Sequence, residues 1–326
     1  MKIKNGWMTL FSLVMITTLA ACGTKATPTP APIQVPTAEP LKQVLLVAGD
    51  VTSPVRILED ADSSLRASEK RAVSGDTILD NLYERPFTSK AMVYQPDLNI
   101  LKVSIASDAD FYYFTITLQG RDSASNTLTG TYGIEFDRTK TGKGDLLVRA
   151  NTLKEEWSLA NVHAYIDQNK DVGGYKPIVA EEGFKGDGYE TEVKFEGDKV
   201  AYARTIAGDP PVVQIAVSKA LMGNVAEFMW GGWADKGVND PKLFDYDDNF
   251  GPGVAGSPIN TSSDYPLKAL YSVDNTCRFP YGFEPAQGTI PGMCISVPPR
   301  IKSTNCVCTY WINLGATKVC GVWQCS

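Results

Sequence analysis

Oxygen-bearing side chains alternate along a short polar segment near the middle of the chain. Asp167, Asn169 and Asp171 are separated by one residue each, and Gly173 and Gly174 follow them. Carboxylate and amide oxygens are the ligands that Ca²⁺ prefers, and glycine permits the tight turn that brings alternate side chains together. The pattern therefore fits a calcium site. It also fits a hairpin turn at a strand end, where Asn, Asp and Gly are favoured.

This segment departs from the twelve-residue helix–loop–helix calcium motif, because no helix is predicted before it and Glu181 and Glu182 lie at the wrong distance.

A second acidic segment, 137–145, has acids at its ends but three basic residues between them. Their charges would repel a cation, so we interpret this segment mainly as a loop. A third acidic group fits either an ion site or a solvated surface loop: Asp240, Asp245, Asp247 and Asp248.

Three tryptophans are candidates for stacking on a sugar ring, whose axial C–H groups meet the face of an indole. Trp157 follows two glutamates, and Trp230 and Trp233 flank two glycines close to Asp235. Such polar neighbours supply hydrogen bonds to sugar hydroxyls. Burial in a hydrophobic core is the alternative for each of the three.

Catalysis has little support in the residue pattern. His163 is the one histidine of the chain, and the alternation around it predicts the solvent face of a strand. A Ser–His–Asp triad would need it, yet no Gly-x-Ser-x-Gly segment accompanies it. Haem ligation by His163 with Met222 or Met229 is a further alternative. No catalytic residue is therefore assigned.

The N-terminus has the pattern of a bacterial lipoprotein signal. Lys2 and Lys4 precede an apolar run, 8–19, and small residues lead to Cys22. About 12 apolar residues are too few to span a bilayer, which needs roughly 20. We predict that 1–21 is cleaved, that Cys22 carries a lipid, and that the protein is extracytoplasmic, anchored to the bacterial cell membrane or surface. The alternative is an ordinary signal peptide with a chance cysteine.

A proline-rich tether, 22–40, is predicted to follow the lipid. It contains five prolines without apolar periodicity: Pro28, Pro30, Pro32, Pro36 and Pro40. Extended polyproline II rises about 3.1 Å per residue, so the part after Cys22 reaches roughly 55 Å.

The charge balance argues against nucleic acid as a partner. The formal net charge of the whole chain is −6, and loss of Lys2 and Lys4 with the signal makes it −8. No basic cluster with interleaved aromatic residues is present.

Apart from Cys22, all cysteines lie near the C-terminus: Cys277, Cys294, Cys306, Cys308, Cys320 and Cys325. An even set in a short segment of an exported protein predicts disulfides that hold a small module together. The spacing selects no pairing, although Cys306 and Cys308 are poor partners for each other because the ring would be tight. A zinc site is the alternative, despite the lack of a nearby histidine and of Cys-x-x-Cys pairs.

Short strands must position these residues. Runs rich in β-branched and aromatic residues, bounded by turn signals, predict strands at 100–105, 111–118, 133–137, 146–150, 161–166, 189–195, 199–206 and 212–217. Helix is predicted only at 64–72 and for one turn at 218–222. The fold class is therefore mainly β: an antiparallel β-sandwich, jelly-roll or immunoglobulin-like, with a small disulfide-rich C-terminal module.

We divide the chain into five parts. They are the signal peptide 1–21, the tether 22–40, a β-sandwich domain 41–233, a long surface loop and connection 234–272, and the Cys-rich module 273–326.

The segment 83–228 resembles the sandwich domains of family 9 carbohydrate-binding modules and of the related DOMON group. The resemblance is carried by three stretches: 93–100, 108–116 and 132–137. It implies a sandwich that binds calcium, a sugar or haem. The chain as a whole is similar to uncharacterised predicted surface lipoproteins of Chloroflexota-type bacteria, through 255–258, 265–271 and the cysteines.

These observations favour a non-catalytic, lipid-anchored exported protein whose sandwich presents a binding surface for glycans, with calcium as its candidate stabilising ion. One alternative is a glycan-processing hydrolase, which would have a cleft with two carboxylates about 5–10 Å apart. Another is a structural or adhesive envelope protein, which would expose an apolar patch.

Overall fold

The computed structural model describes residues 44–71, 73, 76, 81–172, 186–236, 240–244, 267–285 and 293–294, and the backbone of 306–314 and 317–325. The chain divides into two compact units, 1–42 and 43–326. The predicted signal, Cys22 and the tether lie outside the described residues. Among the helices of the described part, none is both long and apolar enough to cross a membrane.

The second unit is built from antiparallel strands. Five strands form the smaller sheet: β1 (Arg56–Glu59), β3 (Ile100–Ser107), β4 (Phe111–Leu118), β9 (Ala201–Ile206) and β10 (Val212–Ser218). Eight form the larger sheet: β2 (Glu84–Arg85), β5 (Thr131–Asp137), β6 (Leu146–Ala150), β7 (Val162–Ile166), β8 (Thr191–Glu192), β11 (Phe228–Asp235), β12 (Val273–Asn275) and β13 (Phe279–Tyr281). A separate pair contains β14 (Cys306–Leu314) and β15 (Thr317–Cys325).

The strand order is β1-β3-β4-β10-β9 in the smaller sheet and β2-β12-β11-β5-β6-β7-β8 in the larger, with β13 also pairing with β11. Helix is limited to α1 (Ser64–Ala67) and a 3₁₀ turn at Pro241–Leu243 in the described part. The predicted mainly β, antiparallel sandwich is confirmed. Predicted strands that follow one another in the chain form the hairpins β3–β4 and β5–β6; a short polar turn joins the first pair, and the longer polar loop 138–145 joins the second.

The two sheets face each other across one hydrophobic core. Alternate residues of each strand point into it, as the two-residue period of a strand requires. Phe114 of β4, Phe136 of β5 and Trp230 of β11 meet at its centre, with ring centroids 5.1–5.2 Å from Phe114. Each of these side chains is fully buried, which favours folding by roughly 2–3 kcal/mol per large apolar side chain.

The outer faces of both sheets are also covered. On the smaller sheet, Phe111, Tyr113 and Tyr202 pack with the segment around Leu45 and with Trp157. On the larger sheet, a second cluster contains Tyr83, Leu147, Val172, Tyr189, Trp233, Phe244, Leu270 and Val273. This double coverage explains why every residue of β5, β6 and β11 is buried rather than every second one.

The larger sheet extends past the predicted end of the sandwich domain. Strands β12 and β13 pair with β11, although the sequence analysis places them in the Cys-rich module. Phe244, Leu267 and Leu270 are buried, although they come from the predicted surface loop. The chain therefore uses these late segments to complete the sandwich.

One disulfide is present among the described side chains. Cys277 and Cys294 are bonded, with their Cα atoms 5.0 Å apart. The backbone of the β14–β15 pair places Cys306 opposite Cys325, Cys308 opposite Trp323, and Cys320 opposite Trp311. The side chains of these last four cysteines lie outside the described residues, so their disulfides stay a prediction.

Candidate functional site

A polar groove lies at one end of the larger sheet, where β5 begins and β11 ends. It consists of two adjoining hollows of about 200 and 370 Å³ that share Thr131 and Asn151. We call it the sheet-end groove. The rest of its lining is Leu128, Thr129, Arg149, Ala150, Thr152, Asn161, His163, Tyr165, Asp235 and Lys236.

Strand register brings these side chains together. Arg149 of β6 lies opposite His163 of β7, and Thr131 of β5 lies opposite Asp235 of β11. Residues at such paired positions point to the same face of a sheet, here the face away from the core between the sheets. Four neighbouring strands thus supply half of the lining residues, and the segments next to the strand ends supply the rest.

Arg149 is fixed across the sheet rather than extended into solvent. Its Nη2 lies 3.3 Å from Asp235 Oδ2, and its guanidinium carbon lies 5.6 Å from the centroid of the Phe244 ring. Trp233 Nε1 donates to the same Asp235 oxygen at 3.1 Å. To reach Asp235, Arg149 must cross β5 at Gly133, where a Cβ would lie 3.4 Å from Arg149 Cγ and 2.9 Å from the Val148 carbonyl oxygen. Glycine at 133 therefore makes room for this crossing.

Lys236 contributes a second fixed cation at the other side of the groove. Its Nζ lies 3.3 Å from Asp122 Oδ2 and 3.9 Å from Asp97 Oδ2. Hydrogen bonds from Ser125 lower the pKa of Asp122 to about 2, so this carboxylate is ionised at neutral pH. Each cation of the groove is therefore matched by a carboxylate.

The aromatic part of the lining comes from β7. Tyr165 is half-buried, and its ring is stacked with that of His163 at 22° and 6.2 Å between centroids. His163 is exposed, and its Nδ1 lies 2.7 Å from Glu192 Oε1. The predicted position of His163 on the solvent face of a strand is confirmed.

Two of the three tryptophans proposed for sugar stacking are core residues. Trp230 points into the core between the sheets, and Trp233 packs on Phe244 at 4.0 Å between centroids on the opposite face. Both are almost completely buried, so neither offers a ring face to a sugar, and the stacking prediction is corrected for them. Alternation along β11 explains this, since both faces of the larger sheet are covered where β11 lies.

Trp157 is half-buried beside the smaller sheet. Its Nε1 donates to the Gly49 carbonyl at 2.9 Å, and the Arg204 guanidinium lies 4.3 Å above its ring. Tyr113 packs beside it with centroids 6.0 Å apart. One ring face is therefore already used by a cation, and Trp157 lies apart from the sheet-end groove.

The predicted calcium loop makes the hydrogen bonds of a turn. The two carboxylate oxygens of Asp167 accept from the backbone N–H of Lys170 and Val172, at 2.6 and 3.0 Å. Asn169 Oδ1 accepts from the backbone N–H of Asp171 at 3.1 Å. Burial raises the pKa of Asp171 to about 6. These contacts are those of the hairpin-turn alternative, and calcium binding by Asp167, Asn169 and Asp171 stays a prediction.

The other acidic segments also use their oxygens internally. Asp137 accepts from the backbone N–H of Thr139 and of Gly142, which agrees with the interpretation of 137–145 as a loop. Asp240 accepts from the backbone N–H of Lys242 at the start of the 3₁₀ turn. Asp245, Asp247 and Asp248 lie outside the described residues.

A buried group of carboxyls was not predicted from the sequence. One oxygen from each of Asp60, Glu84 and Asp274 lies within 4.8 Å of the other two. Burial raises the pKa of Asp60 to about 7, and burial with the neighbouring carboxyls raises the pKa of Glu84 and of Asp274 well above the ordinary value. These residues are distant in sequence and form no spacing motif, so only the fold reveals them.

The fold and the groove together define a class of protein: an antiparallel β-sandwich with a polar hollow at the ends of its central strands. Comparisons of the chain with protein families, with curated proteins and with solved structures found no match. The proposed function therefore rests on the residues of this chain alone.

Proposed function

We propose that this chain is a lipid-anchored, exported protein that binds a glycan in the sheet-end groove without catalysing a reaction on it. The observation that carries the proposal is the lining of the groove, which combines amides, hydroxyls, a fixed guanidinium and a tyrosine ring. Strands hold the guanidinium and the tyrosine ring, and the amides lie directly beside the strand ends, which limits the conformational entropy lost when a ligand binds.

Sugar hydroxyls both donate and accept hydrogen bonds, and the groove offers both functions. The amides of Asn151 and Asn161 each carry a donor and an acceptor, and Thr129 and Thr131 add hydroxyls. The ring of Tyr165 supplies an apolar surface for the C–H face of a sugar. The larger hollow, at about 370 Å³, has the size of ordinary small-molecule sites, roughly 300–1,000 Å³.

The charges of the groove favour a neutral glycan. Arg149 is paired with Asp235, and Lys236 is paired with Asp122, so neither cation leaves a net positive charge for an anionic sugar. The groove thus presents directional hydrogen bonds more than an electrostatic field.

The same lining argues for binding over hydrolysis. Among the described residues that line the groove, Asp235 is the one carboxylate, and Arg149 holds it in an ion pair. Glycoside hydrolysis needs two carboxyl groups flanking the scissile bond at about 5–10 Å from each other.

The predicted lipoprotein signal is the basis for the proposed location of the protein at the membrane surface. A lipid on Cys22 and an extended segment of roughly 55 Å would hold the sandwich away from the membrane surface, where it can reach a glycan of the cell envelope.

The binding proposal is tested with a glycan array probed by the full chain in detergent. We expect wild type to bind neutral glycans and Tyr165→Ala to lose binding at least tenfold. Trp157→Ala is the matched control, since it removes the remaining predicted stacking residue outside the groove, and it should bind as wild type does. Absence of binding to any glycan would refute the proposal. Loss in Trp157→Ala alone would move the site to the smaller sheet.

The anchor is tested separately with Cys22→Ser. We expect wild type to incorporate radiolabelled palmitate and to sediment with membranes. The variant should do neither, because the lipid-bearing thiol is absent. Equal labelling of both proteins would contradict lipid attachment at Cys22.

A further inference from the structure

The buried carboxyls Asp60, Glu84 and Asp274, which we call the carboxyl triad, lie where the two sheets meet at one edge. Glu84 and Asp274 are directly opposite each other in the β2–β12 pair. Asp60 follows β1, and its backbone N–H donates to the Leu101 carbonyl of β3. Asp274 Oδ2 accepts from the backbone N–H of Ile100, also on β3, at 2.7 Å. The triad therefore joins elements of both sheets.

Two oxygens of the triad are buried without a hydrogen-bond partner. Asp274 is fully buried, and its Oδ1 accepts no hydrogen bond. Oδ2 of Asp60 is likewise inaccessible to solvent and unpartnered. Glu84 receives a long bond, 3.4 Å, from the Ser63 hydroxyl. Buried carboxylates without partners are strongly unfavourable, so at neutral pH this arrangement requires either protonation of the acids or a compensating cation.

Among the described residues, the arginine next to Glu84 is engaged with another carboxylate. Arg85, which follows Glu84 in the chain, donates from Nε and Nη2 to the two oxygens of Asp76, at 2.7 and 2.9 Å. Like charges directly opposite in an antiparallel pair destabilise it, and Asp60 adds a third carboxyl to the pair of Glu84 and Asp274. A cation between the three carboxyls would remove both penalties.

We propose that Asp60, Glu84 and Asp274 bind a calcium ion that ties the first strand and the β2–β12 edge to the rest of the sandwich. The site offers only oxygen, which suits a hard cation. Ca²⁺–oxygen distances of about 2.3–2.6 Å allow ligand oxygens to lie up to about 4.6–5.2 Å apart across the ion, whereas Mg²⁺ at about 2.0–2.1 Å allows only about 4.0–4.2 Å. All three triad oxygens lie within 4.8 Å of one another, which is compatible with one shared Ca²⁺. A buried site made of protein oxygens suits Ca²⁺ better than Mg²⁺, which usually keeps several of its waters.

This site goes beyond the proposed function, because it is separate from the sheet-end groove and its role is structural. It is also distinct from the loop of Asp167, Asn169 and Asp171. There, backbone N–H groups donate to both oxygens of Asp167, to the Asn169 oxygen and to Oδ2 of Asp171, while Oδ1 of Asp171 has no hydrogen-bond partner. Failure of glycan binding would leave the triad site unaffected.

The test is the thermal midpoint of the full chain in detergent, first in EDTA and then in 10 mM CaCl₂ or 10 mM MgCl₂. A ligand that binds only the folded state raises the midpoint, and for a fold of this size we expect a rise on the order of 3–8 °C with calcium. The rise with magnesium should be smaller. No rise with calcium would overturn the proposal.

Two matched variants locate the ion. Asp274→Asn removes a triad carboxylate and should abolish the calcium-dependent rise. Asp171→Asn makes the same chemical change in the predicted calcium loop and should retain it. A rise retained in Asp274→Asn would overturn the proposal, whatever Asp171→Asn does.

A second measurement keeps the test decisive if Asp274→Asn does not fold. Equilibrium dialysis with radioactive calcium should give at least one ion bound per wild-type chain, and one fewer in Glu84→Gln. Equal binding by wild type and Glu84→Gln, or no binding by wild type, would refute the assignment of calcium to the triad.

Discussion

Two groups of buried carboxyls among the described residues differ in their partners. Glu135 of β5 accepts from the Tyr189 hydroxyl at 2.8 Å, and its other oxygen lies 3.1 Å from Arg278 Nη2. Arg278 also donates to the Gly142 carbonyl. Glu135, Tyr189 and Arg278 are all almost completely buried. Here the chain itself supplies the positive charge that a buried carboxylate requires.

The carboxyl triad presents the same physical problem without that solution. Its three acids are as close to one another as ligands of one ion, and oxygens of Asp60 and Asp274 have no partner. The comparison teaches that burial of a carboxylate alone does not indicate an ion site. The triad differs from the group of Glu135, Tyr189 and Arg278 (the Glu135 group) because it combines burial with unpartnered oxygens. Calcium should therefore change the effect of substitutions in the triad and leave the effect of substitutions in the Glu135 group unchanged.

The largest effect is expected at Arg278. Arg278→Met removes the cation and leaves the Glu135 carboxylate buried with only Tyr189 as a partner, which should lower the free energy of unfolding by about 3–5 kcal/mol. Urea unfolding in EDTA and in calcium should give the same loss, because this carboxylate needs no ion.

The control for Arg278 is Arg56→Met, which removes the same side chain from an exposed pair with Glu284. The side chains of that pair are 46% and 79% exposed, so the loss should stay below about 1 kcal/mol. Similar losses for both variants would show that burial does not set the strength of these pairs.

A smaller effect is expected in the turn that follows β7. Asp167→Ala leaves the backbone N–H groups of Lys170 and Val172 without their acceptor, and we expect a loss of about 1–3 kcal/mol. Asp167→Asn keeps one acceptor oxygen and should lose less. The calcium-dependent shift of the thermal midpoint should remain in both variants. Its disappearance would show that this loop, and not the triad, binds the ion.

Sequence reasoning found the strands whose side chains have a clear two-residue period. The hairpins β3–β4 and β5–β6 were predicted because long apolar or aromatic runs flank obvious turns. Strands β1, β2, β12 and β13 were missed, since they have two to four residues each and lie toward the sheet edges. Such short segments form through pairing with a neighbour, which no local pattern reveals. The eight-residue β11 was also missed, because it is buried on both faces and therefore lacks the alternation of polar and apolar residues. Strands β14 and β15 were likewise not predicted.

The sites were harder to predict than the fold, for two physical reasons. Trp230 and Trp233 have the composition of a sugar platform, but Trp230 is buried by the opposite sheet, and Trp233 is buried by distant segments such as Phe244 that cover the outer face of β11. The triad depends on the β2–β12 register, which brings Glu84 opposite Asp274. A contiguous acidic motif is visible in a sequence, yet its own backbone can use its oxygens, as Asp167 illustrates.

The smallest effect is expected for Glu84→Gln. This variant tests most directly whether the triad differs from the Glu135 group by binding an ion. In EDTA the raised pKa of Glu84 means that folding at neutral pH must either take up a proton or bury a charge. The neutral amide avoids this cost and can donate to a neighbouring carboxyl, so stability should equal or exceed that of wild type by about 1 kcal/mol. In calcium the amide removes a charged ligand, so the variant should be less stable than wild type. Chemical unfolding should therefore give a difference in the free energy of unfolding between variant and wild type that has opposite signs in EDTA and in calcium.

The control is Ser63→Ala, which deletes only the long hydrogen bond to Glu84 and should show no such reversal of sign. A Glu84→Gln variant less stable than wild type in EDTA and calcium alike would show that Glu84 acts through its hydrogen bond and not as an ion ligand.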